Sequence, residues 1–137
     1  MTQTLLSAAA IKAARDITHE IVEVPEWGGS VLLQQMNAAE ATHFGTVMEK
    51  LKSVEGYSPR DGMYMMLIYS ARESVDGPLI FTEEDLPELR LKSIDVLNRL
   101  QRIALRINKM DVEGQNDRKK ALGEVVTAAS PSPSPES

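Results

Sequence analysis

The sequence predicts a mainly helical α+β domain: four to five helices with one β-hairpin near the N-terminus. Three observations lead there. Phe44, Val47, Met48 and Leu51 recur at i, i+3, i+4 and i+7, and a second stretch places Val96, Leu97, Leu100, Ile103, Ala104 and Ile107 on one helical face, the spacing of amphipathic helices. Two short apolar runs, 19–24 (β-branched in part) and 30–35, lie on either side of Pro25-Glu26-Trp27-Gly28-Gly29 and read as strands. Aromatic residues make up only 4% of the chain against 42% hydrophobic residues, so the core is expected to be aliphatic and rich in methionine.

Taken in order, Ser7 followed by an alanine-rich run predicts a short first helix over 6–15, because serine caps a helix start and alanine has the highest helix propensity. The runs 19–24 and 30–35 predict a hairpin, with Pro25 ending the first strand and Gly28-Gly29 supplying the turn. Asn37-Ala-Ala-Glu40 has the spacing of a capping box and opens a helix over 38–52. Residues 63–69 are seven apolar residues in a row. Only Ile68 among them is β-branched, which favours a buried central helix over 60–74, its methionines filling core space. Asp76-Gly77-Pro78 marks a turn. Thr82 before Glu83, Glu84 and Asp85 predicts a short helix to about residue 89, limited by Pro87. A long helix follows over 92–109, where Asp95 and Arg99 stand i, i+4 and can pair. Residues 111–127 are more polar, and 130–137 alternate serine with proline before ending Pro-Glu-Ser. The expected organisation is one domain over 1–110 and a weakly structured to disordered tail over 111–137.

Charge and composition exclude several functions. The chain of 137 residues carries a formal net charge of −5 and no cysteine, which removes disulfides, thiolate catalysis and thiolate metal sites. No apolar run reaches membrane-span length, and the start lacks the pattern of a signal peptide. His19 and His43 stand apart with no metal-ligand spacing, and neither a phosphate loop nor a nucleophile elbow is present. No cofactor is expected. Nucleic acid is disfavoured by the acidic balance and by the lack of aromatics beside the basic residues. The charge is uneven: 73–88 hold six acids and no base, whereas 91–110 hold five bases (Lys92, Arg99, Arg102, Arg106 and Lys109) and one acid. These residues read as a non-enzymatic chain that works by binding other proteins.

Two segments carry a resemblance. "VEVPEWGGSVLLQQMNAAEATHF" contains Val-x-Val-Pro-Glu-Trp-Gly-Gly, a second strand and a helix with an acid and a phenylalanine. "DGPLIFTEEDLPELRLKSIDVLNRLQRIALRIN" contains an Asp-Gly turn, Phe-Thr-acid-acid-Asp, a Lys-Ser pair and a helix ending near an asparagine. Together and in this order they resemble the tail assembly chaperones of long-tailed bacteriophages, over about residues 5–109. The resemblance implies a mainly helical fold with a hairpin and a role in the host cell cytoplasm. Such a protein coats the aggregation-prone tape measure protein, helps bring major tail tube subunits to it and is absent from the finished particle. It also implies that the chain can self-associate. A small structural or adaptor phage protein, such as a tail completion subunit, is the alternative expectation.

Surfaces rather than a catalytic site are therefore the candidates. Glu83, Glu84 and Asp85 of one copy are set against Arg99, Arg102 and Arg106 of another as an electrostatic contact, the alternative being two solvated faces. Trp27 either packs back onto the helices or anchors a partner, since large aromatics are favoured interface anchors.

Overall fold

The computed structural model describes residues 4–110, so the tail expected over 111–137 lies outside the described residues. The first helix, α1, spans Ala8–Ala13, and the Ala10 amide donates to Ser7 Oγ at 3.1 Å. It buries no residue.

The hairpin forms where expected. β1 (His19–Val24) and β2 (Gly29–Gln34) pair antiparallel, with Val22 opposite Val31. The connection differs from a Gly-Gly turn. Pro25–Trp27 make one turn of 3-10 helix that closes on Gly28, whose φ is +80° and whose N–H donates to the Pro25 carbonyl. A single left-handed residue completes the reversal, so Gly29 is free to open β2 opposite Val24.

α2 (Ala38–Lys52) begins on the expected capping box: the Glu40 amide donates to Asn37 Oδ1 at 2.8 Å and the Asn37 amide donates to Glu40 Oε1 at 2.9 Å. α3 (Pro59–Ile68) starts behind Ser58, with Pro59 in the first turn, where its missing N–H costs nothing. Of the apolar run 63–69 only Met63 is exposed.

α3 is shorter than predicted. It stops at Ile68, and Ala71–Arg72 form β3, which pairs with Leu32 and Leu33 of β2. The expected two-stranded hairpin is thus part of a three-stranded antiparallel sheet in the order β1-β2-β3. Methionine and leucine favour helix locally, but the ladder bonds to β2, including Gln34 N–H to the Ser70 carbonyl at 2.8 Å, decide the end of the run. Beyond β3 the chain reverses through Asp76 (φ +62°) and Gly77, as the Asp-Gly-Pro signal predicts, and Leu79 returns beside Arg72.

Glu83–Asp85 form a second 3-10 turn that leads into α4 (Leu86–Leu89). Pro87 does not limit this helix; it sits in its first turn, again where no N–H is needed. α5 (Ile94–Ile107) is two residues shorter at each end than expected, with Asn108 as its cap. Val96, Leu97, Leu100 and Ala104 are buried as the periodicity predicts, whereas Ile103 and Ile107 are half-buried.

The core lies where α3 meets α5 and the sheet, around Leu33, Leu67, Ile68, Leu97 and Leu100. Gly62 lets α3 approach α2, since a Cβ there would stand 2.7 Å from Met48 Cε. Two polar ties lock this arrangement. Arg90 donates from Nε and Nη2 to the two carboxylate oxygens of buried Asp61, at 3.0 and 2.8 Å. Asn108 accepts from the Met36 amide at 2.8 Å and donates to Ser70 Oγ and the Ala104 carbonyl, joining α5 to the β2–α2 corner and to the end of α3.

Candidate interaction surface

The reversal after β3 lays residues 79–86 alongside α2 and the end of α3, and hollows open between them. Three adjoin one another, of about 590, 320 and 250 Å³. Tyr69 and Leu79 line the first and third, Glu83 the first and second, and His43 the second and third. They form one furrow. Ile68, Leu79 and Phe81 give it an apolar wall at one end, and Val47, Leu51, Val54, Met65 and Leu86 at the other.

Tyr69 stands where the hollows meet. Its hydroxyl donates to the Glu83 carboxylate, and its ring meets His43 and Phe44 edge-on, at centroid distances of 5.7 and 5.8 Å. Burial, and next the Glu83 carboxylate, push the phenol up to about 12, so near neutral pH it stays a protonated donor. At the third hollow, Arg72 is nine-tenths buried and donates to Glu40 at 2.6 Å and to the Gly77 carbonyl at 2.9 Å; its Nε has no partner. The furrow is thus apolar within and carries the carboxylates of Glu40, Glu83 and Glu84. Its chemistry suits apolar side chains from a partner.

The candidate residues fall into two places. Glu83 is engaged by Tyr69, Asp85 accepts from the Thr82 amide at 2.8 Å, and Glu84 is exposed. The arginines of α5 engage the hairpin instead. Arg99 pairs with Glu26 at 3.0 Å rather than with Asp95, and its guanidinium holds the Glu26 carboxyl below its ordinary range. Arg106 pairs with Glu20. Arg102 is exposed and has no ion-pair partner among the described residues. Two of the three arginines are therefore already neutralised within the chain, as is Glu20, and within one chain the acids at 83–85 and these arginines are not brought together. Trp27, next to Glu26, is half-buried and packs against the core cluster.

The furrow residues Tyr69, His43 and Leu79 escape sequence reasoning because they come from three separated elements. The one available signal is the Asp76-Gly77 turn, which forces the chain back beside β3. Among the described residues no group of three or more His, Cys, Asp or Glu could hold a metal ion, and no helix is long and apolar enough to cross a membrane.

No protein-family model matches the chain, and no curated protein does. Among solved structures, the chain is similar to the tail assembly chaperone of bacteriophage HK97, with 20% sequence identity and a TM-score of 0.45, over 66% of this chain and 85% of that one.

Proposed function

We propose that this chain is a tail assembly chaperone of a long-tailed bacteriophage, acting in the host cytoplasm. It binds the tape measure protein, keeps it soluble and helps recruit major tail tube subunits, and it leaves before the virion is complete. The observation that carries this reading is how the two resembling segments, 22–44 and 76–108, meet in space. Arg99 of the second pairs with Glu26 of the first, and Asn108 of the second takes the Met36 amide of the first. Residues far apart in sequence are therefore parts of one structural unit. The furrow adds an apolar surface with carboxylates at its margin, suited to shielding the apolar stripe of a long helical client.

Co-expression tests the proposal. A phage tape measure protein is expected to partition into the soluble fraction with this chain and into aggregates without it. Equal aggregation in both cases overturns the reading. The adaptor alternative predicts retention in purified particles, so detection of this chain in virions by mass spectrometry at stoichiometric levels also overturns it.

A further inference from the structure

The register of the sheet determines which backbone groups of β1 point outward. Gln35 N–H donates to the Thr18 carbonyl at 2.9 Å, so Thr18 faces β2. In an antiparallel pair every second residue does the same, which assigns Glu20, Val22 and Val24 to the β2 side. His19, Ile21 and Glu23 then turn their N–H and C=O groups the other way. β1 is the end of the sheet, so those groups form an open edge. Among the described residues only Arg99 reaches it, with Nη2 3.5 Å from the Glu23 carbonyl.

This edge is only partly guarded: β1 is short and carries Glu20 and Glu23, and Glu20 is held by Arg106. Residues 19–24 contain no proline, no lysine and no bulge, and Ile21 is 62% exposed. Its main-chain groups thus stay open to pairing even though the charges blunt it. Beneath it, α5 runs in the opposite direction to β1: Arg99 pairs with Glu26 at one end and Arg106 with Glu20 at the other. Arg102 lies between them on the same face of α5, exposed and without an ion-pair partner among the described residues. Among the described residues, an exposed guanidinium without an ion-pair partner thus projects from the helix that packs under this strand edge.

We infer that the β1 edge receives an extended segment of another protein as an added strand, with acidic residues at alternate positions facing Arg102 and uncharged ones beside Ile21. Main-chain bonds supply affinity in this mode and the alternate side chains supply selectivity. A second copy of this chain is the competing occupant, and sedimentation decides for or against it. The inference rests on the sheet and α5, not on the tail-assembly reading, and it concerns a surface other than the furrow.

The test uses the full chain and two synthetic peptides, one alternating glutamate with valine and one alternating lysine with valine. The acidic peptide is expected to bind, with the Ile21 and Glu23 amides gaining protection from hydrogen exchange, and the basic one to bind more weakly by up to about fivefold, the scale of one exposed ion pair. Arg102→Glu should remove that preference. Ile21→Pro deletes an outward N–H without touching the bonds to β2, and should abolish binding while thermal unfolding stays cooperative. If this variant does not fold, the Arg102→Glu result and the exchange map still decide. Equal binding of the two peptides, protection elsewhere than on β1, or a dimer in sedimentation that buries the same edge each overturns the inference. Failure of the co-expression experiment would leave these outcomes unchanged.

Discussion

The junction between α5 and the hairpin, and the furrow beside α2, are built on opposite plans. At the junction, polar groups that leave water find partners: Asn108 binds the Met36 amide, Ser70 and the Ala104 carbonyl, and the flanking arginines meet glutamates. At the furrow, apolar walls stay open and a buried guanidinium nitrogen of Arg72 is unsatisfied. The first region is closed within one chain. The second keeps surface in reserve that another molecule can cover.

That contrast can be broken by substitution. Asn108→Ala is expected to have the largest effect on stability, about 3 kcal/mol, because it strands the buried Met36 amide and opens a gap; urea unfolding followed by circular dichroism measures it. Asp61→Asn comes next. It removes the charge that Arg90 grips, and about 1 kcal/mol is expected, discounted because Arg90 is half exposed. This prediction carries a sign with pH. The Arg90 guanidinium lowers the Asp61 carboxyl from its ordinary value, so the pair stabilises above the ordinary carboxylate range and loses that contribution as pH falls through the lowered value. The stability gap between wild type and Asp61→Asn should therefore be full near neutral pH and close progressively below about pH 4. A gap that widens in acid would contradict the assignment.

Glu26→Gln, at an exposed pair, should shift the unfolding midpoint slightly at low salt and not at about 1 M salt, where charges are screened within roughly 3 Å. Val54→Asp, on the furrow wall and 56% exposed, should leave stability unchanged within about 0.5 kcal/mol. It should nevertheless reduce the soluble fraction of a co-expressed tape measure protein. If it destabilises the chain as much as Asn108→Ala does, the furrow is part of the core and the contrast fails.

Local signals are legible where the structure they specify is local. The Asn37–Glu40 capping box fixes the start of α2, and the apolar periodicity of 96–104 identifies the buried face of α5. Both are decided by residues within a few turns of one another. β3 was not legible, because Ala71 and Arg72 become a strand only by pairing with Leu32 and Leu33, some forty residues away. Asn108 was visible as a helix terminator, but its buried role depends on Met36 and Ser70 arriving from other elements. The furrow shares that limit, since no short window of sequence contains Tyr69, His43 and Leu79 together. Charge patterning locates the acids and the arginines, while the structure alone shows that Arg99 and Arg106 are spent on Glu26 and Glu20 and that Arg102 has no ion-pair partner among the described residues.

The position of Trp27 has an optical consequence. It is the only tryptophan in the chain, it is half-buried, and its neighbour Glu26 is held by Arg99. Its emission therefore reports on the hairpin end of the junction. Furrow ligands should leave the spectrum silent, whereas a strand added at β1 should shift it, so one unlabelled fluorescence titration separates the two surfaces.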